Sequence, residues 1–176
     1  MTLEELREKD QDFNASLFIS KVNNMLKKIY NAITLNELDT VKHFLSESAF
    51  QKIQKKNDDV VQKGNHLIYE EVNVSSGIRN IDEDEDYYRI EVYATIKYLE
   101  YIKSNDGRIV SGNDLDRVTT NKRVLLRKIK KTIDKKNYYR CLGCGATLDI
   151  NDNGKCSHCG RIFDLEEFDY IIDSIE

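Results

Sequence analysis

Four cysteines, Cys141, Cys144, Cys156 and Cys159, lie within one short segment, RCLGCGATLDINDNGKCSHCGRIFD, and the chain before them contains none. The pattern is Cys-x2-Cys, eleven residues, then Cys-x2-Cys, and a glycine follows each pair, at Gly145 and Gly160. Two residues between cysteines let a tight turn aim both thiolates at one ion. Backbone N–H groups then bond to the sulfurs, and glycine permits the left-handed conformation that this turn needs. The spacer suits a β-hairpin turned at Asn151-Asp152-Asn153-Gly154, with short strands at 147–150 and 161–163. A secreted disulfide scaffold spreads its cysteines through the fold. Clustering points instead to a metal site in a reducing compartment. Four thiolates complete a tetrahedron and leave no open position, so the site is structural. Zinc is the expected ion, and iron is the other ion that soft thiolates accept, in recombinant material. His158, inside the second pair, reads as an exposed loop residue.

The whole of this segment resembles a short zinc ribbon of the CxxCG…CxxCG type. Just upstream is the second candidate for chemistry. Residues 117–140 carry ten Lys and Arg against Asp134 alone, whereas every charged residue after Arg161 is acidic. Arg123, Arg127, Lys128, Lys130, Lys131, Lys135 and Lys136 form a candidate surface for anionic lipid or another phosphate-bearing partner. The competing outcome is neutralisation by Asp164, Glu166, Glu167, Asp169 and Asp173.

These segments must be held by the rest of the 176-residue chain. It has 27 basic and 31 acidic residues, a net charge of -4, and no Pro or Trp. This composition is that of a soluble globular protein, and it argues against wrapping of nucleic acid by the whole molecule. No apolar stretch of about 18 residues, and no leader-like N-terminus, is present in the sequence. Residues 1–13 read as a flexible or helical arm. Residues 14–134 read as an α+β domain. A helix begins at an Asn14 or Ser16 cap and carries Phe18, Val22, Met25, Leu26, Ile29 and Ile33 on one face. Two more helices fit 36–45 and 48–62. The period then changes to two. Residues 66–81 read as a strand with a bulge at Gly77, and 87–103 as a strand with Tyr88, Ile90, Val92, Ala94, Ile96 and Tyr98 inward. A turn at Asp106-Gly107 leads to short and long strands at 108–111 and 117–130. The zinc ribbon is placed at 138–164. Leu165, Phe168, Ile171, Ile172 and Ile175 then suggest an amphipathic C-terminal helix over 165–176.

The order of motifs in the first domain resembles the C-terminal domain of the mitochondrial inner-membrane translocase subunit 44 family and its bacterial relatives. Asp10-Gln11-Asp12-Phe13 matches an Asp-Pro-x-Phe entry. Asn36-Glu37-Leu38, followed by Val41, Phe44, Leu45 and Ser46, matches a Gly-Asp-Leu step and its Leu-x-x-Phe-Leu-Ser continuation. The turns at Asp106-Gly107 and Ser111-Gly112-Asn113 fall where that family turns its strands. Gln11 replaces the family's proline. Lys122-Arg123-Val124-Leu125 replaces its aromatic strand motif, which removes bulky rings from any shared ligand pocket. The resemblance covers roughly 9–131. It implies N-terminal helices packed on a curved antiparallel sheet, a cone related to nuclear transport factor 2, with peripheral-membrane or protein-binding roles and no catalytic residues.

The expected function is therefore a non-enzymatic adaptor with a structural zinc, cytoplasmic or peripheral on the inner membrane surface. Its partner is a protein or an anionic membrane, and the oligomeric state is open. Two alternatives stand beside it. One is nucleic-acid binding by the ribbon with its neighbouring lysines and Tyr138 and Tyr139, which the acidic tail and the non-basic ribbon tip disfavour. The other is chemistry in the sheet cavity, which would need His66 with Glu70 or Glu71 on an inner face. The tyrosines at 87, 88, 93, 98 and 101 read as cross-strand packing.

Overall fold

A computed structural model describes residues 1–130, 140–141, 143–147, 155–162, 165–167 and 169–176. Helix α1 (Leu3–Lys9) is closed by a capping box in which Thr2 and Glu5 satisfy each other's free backbone donors. Its Leu6 is completely buried, so the arm is helical and docked rather than free. Helix α2 (Ala15–Leu35) starts where the Asn14 side chain accepts from Leu17 N at 3.0 Å. It ends at Asn36, which sits in the left-handed region (φ 55°) and donates its N–H to the last free carbonyls. The segment Leu38–Phe44, expected as an α-helix, is a tighter 3-10 helix. Helix α3 (Glu47–Val61) follows, capped by Ser46.

The strands are β1 (Asn65–Glu83), β2 (Tyr87–Ser104), β3 (Ile109–Gly112), β4 (Val118–Ile129) and β5 (Ile171–Ile175). All pair antiparallel in one sheet ordered β1-β2-β4-β5, with β3 joined to the end of β2. The expected meander is present. The bulge expected at Gly77 is not there, because Gly77 pairs in register with Tyr93. Register instead shifts at 71–72 and at Arg79, and Glu71 takes a positive φ of 52°. Such insertions bend a long strand and increase its twist.

Helices α1 and α2 pack on one face of the sheet, and the core lies between them. Ile90, Val92, Ala94 and Ile96 of β2 are 0% exposed and face Val22, Leu26 and Ile29 of α2 within one apolar cluster. At one end of that layer Tyr30, Tyr69 and Tyr98 pack ring to ring, with centroids 4.7–5.3 Å apart. Burial raises the hydroxyl of each above its ordinary titration range, as expected for packed rather than reactive rings. Tyr88 and Tyr101 are also buried, whereas Tyr93 stands on the outer face.

The expected amphipathic helix over 165–176 is corrected. A short 3-10 turn at Leu165–Glu167 leads into β5, which pairs with β4 and makes a parallel bridge from Ile172 to Leu45. The same isoleucines fit a helical stripe or a strand, since so short a run cannot separate the two periods. Two features decide it. Branched side chains suit the pleat, and β4 offers an unpaired edge whose N–H and C=O groups need partners. Tyr170, Ile171 and Ile172 are all at most 3% exposed. Phe168, counted with that stripe, lies outside the described residues.

Candidate metal centre and its attachment to the sheet

The two cysteine pairs form near-identical turns. Cys141 N–H donates to Ala146 O and its carbonyl accepts from Gly145 N, while Cys156 bonds in the same way to Arg161 and Gly160, all at 2.8–2.9 Å. Gly145 and Gly160 adopt φ values of 71° and 72°, which is the conformation their positions predicted. Isolated bridges Arg140–Thr147 and Lys155–Ile162 close each turn. The spacer residues 148–154 and the ends of the expected strands lie outside the described residues.

All four sulfurs lie within 4.8 Å of one another. Cys141 Sγ is 3.5 Å from Cys159 Sγ, and Cys144 Sγ is 3.9 Å from Cys156 Sγ. A tetrahedron with ligand bonds of about 2.3 Å has edges of about 3.8 Å, so the sulfurs stand where one ion would hold them. They are too far apart for disulfides, whose S–S length is about 2.05 Å. Cys141 and Cys156 are buried, and Cys144 and Cys159 are exposed. The N–H groups of Cys144 and Gly143 lower the Cys141 thiol to about 6, whereas at Cys159 the lowering by the Arg161 N–H is outweighed by the neighbouring sulfurs, which push it up to about 11. His158 is exposed and stands outside the cluster.

Gly143 is a site residue that spacing did not single out. A Cβ there would meet Arg161 Cδ at 3.0 Å and two of the sulfurs at 3.4 and 3.5 Å. Its N–H also donates to Cys141 Sγ at 3.3 Å. The Arg161 stem thus covers the first turn from the second. The only sequence sign was glycine within the first pair.

The cysteine module lies between β4 and β5, so it is an excursion from the sheet rather than an appendage to its end. The basic side chains on β4 hold the returning chain. Arg127 pairs with Glu166 at 2.6 Å and Asp173 at 2.9 Å, and its guanidinium carbon lies 5.1 Å from the centre of the Tyr87 ring. Arg123 pairs with Glu176 and exchanges two backbone hydrogen bonds with it. Just past β4, Lys130 turns instead to the end of β1, pairing with Glu83 at 2.7 Å and reaching Asp84 O.

Lys128, read from the sequence as surface, is buried at 9% exposure and makes two bonds of 2.7–2.8 Å to the equally buried Asp10. Tyr170 covers this pair. Its ring packs edge-on against Phe13 and Phe18, and its hydroxyl donates to Asp10 at 3.4 Å. The strand alternation puts residue 128 on the core side with Val124 and Leu126, which is the physical reason for the correction. Thus the four described cations of the expected anionic-surface site are each paired within the chain. Lys131, Lys135 and Lys136 lie outside the described residues, as do Tyr138 and Tyr139.

The elements of the alternative cavity site are not brought together. His66 is exposed and bonds Asn105 at 2.8 Å, Glu71 pairs with Arg117, and Glu70 is exposed.

The Tim44-like domain family profile matches residues 1–138. That span takes in β1 to β4 but neither the cysteines nor β5. No curated protein matches the chain. Among solved structures, a periplasmic fragment of TraM superposes with a TM-score of 0.42 at 5% identity, over 86% of this chain and 93% of that one.

Proposed function

The chain belongs to the Tim44-like domain family, and from that premise we propose that it is a non-enzymatic adaptor. It docks a protein partner beside the inner membrane surface and carries one structural zinc on Cys141, Cys144, Cys156 and Cys159. The observation that carries this reading is the closed thiolate set built into the β4–β5 connection of a Tim44-like sheet. A four-thiolate tetrahedron has no position for substrate water, so its ion shapes the chain and supplies no reaction. Zinc suits the site because it imposes no geometry of its own and tolerates exposed ligands without redox chemistry.

Internal pairing of Arg123, Arg127, Lys128 and Lys130 favours a protein partner over an anionic surface. A membrane role would fall to Lys131, Lys135 and Lys136. No helix among the described residues is long and apolar enough to cross a membrane. Purification of the tagged chain from its own cells, with and without detergent, tests the adaptor reading. A stoichiometric protein partner is expected. Recovery only with lipid, and sedimentation with anionic vesicles, would refute the protein-partner version. Elemental analysis is expected to find one zinc per chain.

A further inference from the structure

On the far side of α2 from the sheet lies a groove of about 650 Å3, walled by α2, the 3-10 segment around Phe44 and the turn at Leu165. It follows α2 from Leu17 to Asn31, a length of about 21 Å at 1.5 Å per residue. Its floor is apolar, made by Met25, Phe44 and Leu165, and Leu17 at one end is 69% exposed. Lys21, Lys27 and Lys28 stand on its α2 wall, and no carboxylate lines it among the described residues. Lys21 is held by Asp169. Lys27 and Lys28 have no carboxylate within ion-pair distance among the described residues, in contrast to Arg123, Arg127, Lys128 and Lys130, which were expected to bind anions. His43 closes the opposite wall, and its Nδ1 is buried without a hydrogen-bond partner. Burial, and then the nearby Lys28, lower the His43 titration below its ordinary value.

We propose that this groove is the docking site for an acidic amphipathic peptide segment of a partner protein, whose apolar side chains seat on Met25, Phe44 and Leu165 while its carboxylates pair with Lys27 and Lys28. The proposal rests on the adaptor reading and names the surface that serves it. Charge selects the occupant. Among the described residues Lys27 and Lys28 meet no carboxylate, and two such lysines attract an anion and repel a basic segment. Shape narrows it further. The groove is long and concave with an apolar floor. A planar bilayer cannot enter it, and a small anion would leave most of the floor wet. A nucleic-acid backbone is disfavoured because two lysines give it little to track and the apolar floor offers its phosphates nothing.

The test uses the full metal-loaded chain and a fluorescein-labelled fourteen-residue probe peptide with glutamate and leucine at helical spacing. Its control has lysine in place of glutamate. Fluorescence anisotropy should show salt-sensitive binding of the acidic probe and none of the basic one. Lys27→Glu with Lys28→Glu should weaken binding at least tenfold. Lys52→Glu with Lys55→Glu, on the exposed face of α3, should change it less than twofold. Amide shifts on titration should centre on Lys27, Lys28 and His43. Equal binding of both probes, an unchanged affinity in the first double variant, or vesicle binding that needs Lys27 and Lys28 while the probe does not bind would each overturn the proposal. A cellular partner retained by the first double variant, with no acidic-probe binding, sinks the groove and leaves the adaptor reading standing. Probe binding lost in that variant, with no partner recovered from cells, sinks the adaptor reading and supports the groove.

Discussion

Removing the metal should unfold the cysteine module yet leave the sheet almost as stable as before. Strands β4 and β5 are joined through the segment 130–170. Cys141 Sγ and Cys159 Sγ stand 3.5 Å apart, and an ion holding them there would take the segment from 141 to 159 out of the loop. The effective loop falls from about 41 residues to about 22, and the entropy of closing it falls by about 0.6 kcal/mol, from (3/2)RT ln(41/22). Against this, β5 buries Ile171 and Ile172 to 1% or less, and each such side chain contributes about 1.5–3 kcal/mol. The burial term wins, so β5 should stay docked without metal. For a chain of this size about 0.6 kcal/mol corresponds to a fall in Tm of about 1–2 °C. Calorimetry before and after treatment with a strong chelator and reductant reads the shift, and hydrogen exchange reads protection at 171–175. A fall of more than about 10 °C, or loss of protection in β5, would refute the loop argument and make the module part of the core.

Breaking the buried pair by Asp10→Ala or Lys128→Ala should cost about 3–5 kcal/mol in urea unfolding, because each leaves one buried charge alone, and Lys128→Met with Asp10→Leu should recover part of the loss. Gly143→Val should weaken metal binding in a chelator competition while leaving the Tm of the sheet unchanged, since its side chain enters the space of Arg161 and the sulfurs. Lys130 holds Glu83, and Arg89 holds Asp84, below the ordinary carboxylate range. Their lowered values mean a stabilising contribution that is present above about pH 4 and lost as the pH falls through the folded values, so unfolding from pH 5 to 2 should show lower stability at the acidic end, less steeply in Arg89→Ala. Acid should also release the metal, because protons compete for the four thiolates, and a zinc indicator dye should report it.

What the sequence determined by itself was whatever depends on neighbours along the chain. Spacing and glycine placement sufficed for the metal turns, because each turn's hydrogen bonds close between near neighbours in the chain. The start of α2 at Asn14 and the Asp106-Gly107 turn were readable for the same reason. The inward face of β2 followed from alternation over a long strand, where period two is unambiguous. Tertiary structure alone decided the rest. The run from 171 to 175 is too short to declare its own period, and it became a strand because β4 had an open edge to fill. Lys128 looked like one more cation in a basic stretch, and only its pairing with Asp10, far away in the chain, put it in the core. The bulges of β1 arise from matching its length to β2, a condition set by two strands together. Local hydrogen bonds can be read from a few letters. An ion pair, a strand edge or a register needs both partners in place before its energy exists.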